Sequence, residues 1–455
     1  MLSLLSLLAP LAPWVLAPPA AAQLEGSVVS PSGLTTGPTA WGEFRLDVLL
    51  ETAFRDSTHV RFPINHPFPP DFLPPGETTI SLETPAGGPS LELVTVSLGG
   101  AVDFSPDIAA RVRVDVVDRY SENPSSNDDV LVREAWLRFG QLSAPLERAP
   151  GTTAYARIGR APRFSRPPWR NLESWGLVST AIGRFEEDQL EVGGTLGEHL
   201  YWRGALADGN PLFFRDPNAL AGDNGTAQRV PGHVEPDFQS GFPILYDTLP
   251  QDVNLDGDLQ YGGGLGARWI DDDRRRGIDA LGWYFQRRLA ARAPIDGSFY
   301  GGDLDLLNDA SGLTLPFHGA RKLETGVNVL LRYAGLRLFG QFVHQDIAAL
   351  VRHGFEVELA YRIQLDGWFA SGDLSVLNWV QPAFRFSSLD NRFRPEPGFV
   401  APSMAWDWRK YDAGVRVGVI RGLDATLEYS HHDVVLFSGR LLHPDELLAT
   451  LRLGL

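Results

Sequence analysis

From Trp41 onward, apolar and polar residues alternate one by one in short runs. Phe44, Leu46, Val48 and Leu50 share one parity, while Glu43, Arg45, Asp47 and Glu51 share the other. Period-two patterning over about eight to ten residues predicts strands with one apolar and one polar face. Such runs recur to the C-terminus. They include residues 91–104, 108–118, 130–139, 259–270, 279–290, 326–333, 336–346, 355–363, 378–387, 411–420, 424–431 and 446–455, with three more between Thr153 and Asp208. Tight turns join some of them: Ser105-Pro106-Asp107, Gly197-Glu198 and Ala334-Gly335. Others are separated by long connections, at 55–90, 209–258 and 293–322.

Sixteen runs with short turns at one end and long loops at the other predict an all-β fold. The expected form is a closed antiparallel transmembrane β-barrel of sixteen strands over residues 41–455, in a bacterial outer membrane. In lipid every backbone polar group must be paired internally, which a sheet achieves only by closing. The apolar parity then faces lipid. Trp269, Trp283, Tyr333, Tyr361 and Tyr429 are expected there as girdle residues, with Val415, Val417 and Val419 beside them and Arg416 pointing inward. The run at 130–139 has one charge on each face, Arg133 and Glu134, and its orientation stays open.

The one uninterrupted apolar stretch is Leu2–Leu16, followed by Ala20-x-Ala22. It reads as a signal peptide over residues 1–22, and the Ser-, Gly- and Pro-rich residues 23–40 as a periplasmic lead-in. Mean hydropathy is slightly negative, and further apolar runs of about twenty residues, which helical spans need, are missing. Cysteine is absent, so no disulfide framework supports the chain. A formal charge of −16 argues against a nucleic-acid partner.

Against that acidic total, the polar parity of the strands leans toward arginine: Arg45, Arg111, Arg113, Arg157, Arg203, Arg268, Arg288, Arg332, Arg362, Arg385, Arg416 and Arg452 are assigned to the lumen, facing Glu43, Asp47, Glu51, Asp103, Asp115, Glu191, Glu356, Glu358 and Glu428. The connection after residue 162 adds Arg163, Arg166, Arg170 and Arg184. Arginine in a constriction favours anions through its field and through bidentate hydrogen bonding. The candidate anion-binding set is therefore Arg157, Arg163, Arg166, Arg170, Arg184 and Arg203. The function expected is an outer-membrane porin passing small solutes by diffusion with a preference for anions. The rival reading is a non-conducting surface protein, an adhesin or scaffold acting through its long loops.

The stretch 153–210 carries a resemblance. A strand ends in Gly159-Arg160 and a Pro-containing loop ends in Gly183-Arg184-Phe185. A strand, a tight turn and a strand closing on Asp208-Gly209-Asn210 follow. This order resembles the phosphate-selective porins of bacterial outer membranes. The resemblance implies sixteen strands, a third loop folded into the barrel and phosphate or a similar oxyanion as solute. Members add lysines to an arginine ladder; here Lys322 and Lys410 are the only lysines. Whether three barrels assemble as a homotrimer stays open.

Asp252, Asn254, Asp256 and Asp258 place oxygens at alternate positions with Gly257 at the turn, like the first half of a Ca²⁺ loop. The acid due at the twelfth position is replaced by Gly263. A Ca²⁺ clip and a solvated acidic turn both remain, and the missing acid favours the turn; no other cofactor is expected. His431 and His432 are neighbours on a strand and point to opposite faces, so together they form no metal site. No Gly-x-Ser-x-Gly or His-Glu-x-x-His occurs, and an enzyme is not expected.

Overall fold

A computed structural model of the chain describes residues 34–39, 42–58, 61–65, 79–83, 88–118, 130–149, 151–183, 186–208, 227–228, 238–239, 258–288, 294–295, 302–303, 321–347, 350–365, 369–371, 374–392, 407–435 and 439–454. The proposed signal peptide, and the lead-in up to residue 33, lie outside these.

The alternating runs form β1 (Gly42–Ser57), β2 (Gly88–Ser105), β3 (Ile108–Asp118), β4 (Leu131–Gly140), β5 (Thr153–Pro162), β6 (Glu186–Leu196), β7 (Leu200–Ala207) and β8 (Gln260–Ile270). They continue as β9 (Arg276–Arg288), β10 (Arg321–Tyr333), β11 (Leu336–Ile347), β12 (Leu350–Tyr361), β13 (Trp379–Asn391), β14 (Asp407–Ile420), β15 (Leu423–Val435) and β16 (Asp445–Gly454). Each pairs antiparallel with the next, and β16 returns to β1, from Leu49 opposite Gly454 to Ser57 opposite Glu446. Closure therefore leaves no open edge. Beyond the end of β16, Leu34–Thr39 pairs with residues 42–46 of β1 and extends the seam.

The antiparallel order puts the tight turns at 106–107, 197–199 and 334–335 on one rim, and the strands flanking 58–87, 208–259 and 289–320 open to the other; the connections 141–152 and 362–378 share the turn rim. Gly197, at φ 68°, supplies the left-handed residue its turn needs. Outward positions form an apolar band that includes Leu46, Leu98, Val112, Ile158, Leu265, Phe342, Phe384, Val415 and Leu451. Trp269, Tyr333 and Tyr361 mark the turn rim, and Tyr261, Tyr284 and Tyr429 lie toward the loop rim. A closed barrel with an apolar band between aromatic girdles is an outer-membrane protein.

One local expectation needs revision, and one open orientation is settled. On β9 the parity is reversed: Asp279, Leu281, Trp283, Phe285 and Arg287 are buried inside, while Arg288 is outside. Trp283 and Phe285 point inward because the lumen holds an apolar partner for them, Phe164, whose ring stacks on Phe285 at 4.9 Å. On β4 a bulge settles the orientation. Glu134 pairs with Arg113 and Val132 with Val114, leaving Arg133 as the extra residue. Arg133 is buried inside, on Asp115, and Glu134 also reaches an inward residue, Arg111.

Candidate functional site: two segments folded into the barrel

Residues 163–183, between β5 and β6, cross the lumen and dock on the opposite wall. The wall's carboxylates hold the segment by its backbone. Glu358 accepts from the N–H and the side-chain amide of Asn171, at 2.9 and 2.6 Å. Glu428 accepts from the N–H groups of Glu173 and Ser174, at 2.8 and 3.2 Å, and from the Ser174 hydroxyl. Glu356 accepts from the N–H groups of Val178 and Ser179, at 3.2 and 3.1 Å, where the segment makes one π-helical turn, Ser179–Gly183. A non-repeating backbone inside a barrel leaves its own donors unmet, and these three acids meet them.

The counter-charges come from the same wall. Arg385 donates to Asp412 and to the Ser174 carbonyl, both at 2.8 Å, and lies 3.3 Å from Glu358. Lys410 donates to the Trp175 carbonyl at 2.8 Å and pairs with Asp412 at 3.2 Å. Glu173, the acid carried by the segment, sits between Arg416 and Arg452, at 3.8 and 3.6 Å. Apolar contacts complete the docking, with Leu177, Val178, Ala181 and Ile182 packed in one buried cluster with Trp408 and Val434. Glu173 and Asp412 have side chains 0 % exposed, so this side of the lumen is filled.

Arg157, Arg163, Arg166, Arg170 and Arg203 all lie inside the barrel, but each has a different neighbourhood. Arg163 pairs with Glu187 at 3.2 Å and Glu324 at 2.9 Å, with its guanidinium 3.9 Å above the Phe285 ring. Arg166 pairs with Glu186, Arg157 with Glu191 and Arg170 with Glu173. Arg166 and Arg170 both stack on Trp175, at 5.3 and 4.7 Å. Arg184 lies outside the described residues, as do Asp252, Asn254 and Asp256; Asp258 alone of that acidic run is described.

A second inward segment has no counterpart among the sequence expectations. The connection between β4 and β5, residues 141–152, tucks into the barrel from the turn rim. Leu146 adopts φ 56° and is buried against Leu330 and Phe339. Its N–H donates to Asp279, which also accepts from the Tyr201 hydroxyl. Three arginines from neighbouring strands cap its carbonyls: Arg203 on Ser143 and Arg268 on Ala144, both at 3.0 Å, and Arg332 on Leu146 at 3.3 Å. Outside the barrel, Arg148 hydrogen-bonds Glu198 and Asp272 in two neighbouring turns, and these bonds hold its guanidinium protonated beyond the usual range. The only sign of this in the sequence is a connection several times longer than the tight turns at 106–107, 197–199 and 334–335, with Leu146 at its tip.

Arg203, Arg268 and Arg332, with Arg138 on β4, share one property. Among the described residues none of the four forms an ion pair with a carboxylate, and each has a guanidinium nitrogen without a hydrogen-bond partner. All four face inward on the half of the barrel nearer the turn rim. Of the four, Arg203 and Arg268 are buried. Arg111 and Asp47 keep side chains 22 % exposed and Arg113 18 %.

Fold and lumen together define a sixteen-stranded outer-membrane barrel with two inward segments. No protein-family model matches the chain, and no curated protein sequence does. Among solved structures, the outer-membrane channel DcaP of Acinetobacter baumannii is similar at 8% identity and a TM-score of 0.49, over 93% of this chain and 100% of that one. OprB of Pseudomonas putida is similar at 10% identity and a TM-score of 0.48, over 90% and 94%. An anion-selective porin from Comamonas acidovorans follows at 8% identity and a TM-score of 0.43, over 90% and 99%.

Proposed function

We propose that this barrel is a diffusion porin that prefers small anions. The observation carrying this reading is the asymmetry of pairing inside the lumen. Of the arginines on which the sequence suggested an anion constriction, Arg157 on β5 is matched to Glu191 and the loop residues Arg163, Arg166 and Arg170 to Glu187 with Glu324, Glu186 and Glu173. Arg138, Arg203, Arg268 and Arg332 have no acid partner among the described residues. A guanidinium paired with a carboxylate presents little net field to a passing ion. One that donates only to backbone carbonyls keeps its full charge, felt strongly beside low-dielectric walls. The distant acidic loops are screened within about 8 Å at physiological salt and do not cancel it. Phosphate or a similar oxyanion suits such a lining, since guanidinium forks match its oxygens.

Proteoliposome swelling tests the reading with two solutes of equal size, one a neutral sugar and one its carboxylate. Entry of both, with the anionic sugar faster than size alone allows, supports an anion-preferring porin. The rival reading, a non-conducting surface barrel, draws on the filled side of the lumen, where Glu173, Asp412 and their neighbours are wholly buried. Impermeability to both sugars favours that rival.

A further inference from the structure

On the outer wall, at the loop end of β15 and β16, four side chains form a square. His431 on β15 stands directly opposite Asp445 on β16. Two residues further along, Asp433 meets His443, because Leu441 and Leu442 continue the pairing with Val435 and Val434. Alternation puts His431 and Asp433 on the outward parity with Leu427 and Tyr429, while His432 is buried inside. The adjacent histidines thus do separate, as strand geometry requires. The partner of His431 comes instead from across the β15–β16 connection.

The contacts have the order of a metal centre. Asp433 Oδ1 lies 2.7 Å from His443 Nδ1 and 3.4 Å from His431 Nε2. One ligand atom from each of His431, Asp433 and His443 falls within 4.8 Å of the others. The other nitrogen of His431, Nδ1, is 2.6 Å from Asp445 Oδ1, and Asp445 also accepts from the Tyr429 hydroxyl at 2.7 Å. A carboxylate on the far nitrogen of an imidazole fixes the ring and its tautomer and makes the near nitrogen a better ligand. The two imidazole rings are near parallel, 13° apart with centroids at 5.8 Å, and His443 is exposed enough for an ion to enter.

We infer that His431, Asp433 and His443 bind a divalent transition-metal ion of the zinc type, with Asp445 as the orienting group. Two imidazoles and one carboxylate suit Zn²⁺ and its neighbours, whereas Ca²⁺ and Mg²⁺ take oxygen sets. Three protein ligands leave a fourth tetrahedral position for water or for a group of the surrounding surface. This site is separate from the lumen and does not depend on what the barrel conducts. A bound ion cross-links β15 to the segment entering β16, next to the strand that closes the barrel.

The test uses tag-free, chelator-treated protein folded in detergent, titrated with Zn²⁺ against a chromogenic chelator, and separately with Co²⁺. One Zn²⁺ per chain and a visible Co²⁺ spectrum of tetrahedral intensity are expected. His443→Ala and His431→Ala should each lose both, while Asp445→Asn should weaken binding about 10–100-fold, as orienting partners do. Asp256→Asn should change nothing. Heat-modifiable gel mobility confirms that each variant is a folded barrel, and the exposed position of His443 makes that the decisive one. If zinc fails to bind, if it binds equally well to folded His443→Ala, or if Asp256→Asn alone abolishes it, the inference is overturned.

Discussion

The docking of residues 163–183 makes Glu428 the most informative wall residue to remove. It accepts three hydrogen bonds from the segment, two from backbone N–H groups and one from the Ser174 hydroxyl. Hydrogen bonds to a charged group contribute about 1.5–3 kcal/mol each, or roughly 5–9 kcal/mol for three. Water entering the space left by Glu428→Ala recovers much of this. Even a residual ~2–3 kcal/mol shifts the docked-to-released ratio of this stretch by about 30–150-fold. Arg385 keeps Asp412 and Glu358, so the substitution leaves it with acid partners. Adding Glu356→Ala removes the second hold, at Val178 and Ser179. Unitary conductance should rise in Glu428→Ala and further in the double variant, and trypsin should gain a cut after Arg170. A double variant with wild-type conductance and an uncut segment would refute the docking argument.

Other outcomes follow from the same contacts. Arg163→Met strips the shared cation from buried Glu187 and Glu324; it should destabilise the barrel by about 3–5 kcal/mol, read as a lower unfolding temperature on heat-modifiable gels. Gly266→Ala puts a Cβ 2.0 Å from the Tyr201 ring. It should displace that ring from Asp279 and lower the unfolding temperature, whereas Gly282→Ala, with nothing nearer than 3.9 Å, should not. Arg148→Ala severs two exposed ion pairs at the turn rim; the unfolding temperature on heat-modifiable gels should barely move, because exposed pairs are screened by solvent and salt.

The barrel was legible because two-sided alternation is imposed on every strand by lipid outside and charge inside. All sixteen strands were found, and Ile108–Asp118 to the residue, since Pro106 and Asp107 fix its start. Most loop-side ends were read short. β10 starts at Arg321 rather than Gly326, because Lys322 and Glu324 face inward in a stretch with too little apolar contrast to register as strand. β9 was turned over because an inward Trp283 looks like a girdle residue until its partner Asn328 and the neighbouring inward loop are known. The site was far less legible. That the Arg-rich loop folds inward came from the family resemblance, but its docking partners Glu356, Glu358, Arg385 and Glu428 lie well over a hundred residues away in sequence. Which arginines are neutralised depends on those distant pairings, so the candidate set mixed paired Arg163 with unpaired Arg203. The outward His431–His443 square depends on a connection that brings two strands into register, which spacing alone does not reveal.

The most direct test of an anion-preferring pore is the zero-current potential across a planar bilayer holding the purified protein in a tenfold KCl gradient. The wild-type barrel should conduct, with a potential whose sign reports chloride permeating faster than potassium. Arg268→Ala combined with Arg332→Ala should move that potential toward the cation-preferring side without closing the pore. A wild-type potential that reports potassium preference, or a barrel that inserts and carries no current, would contradict the account.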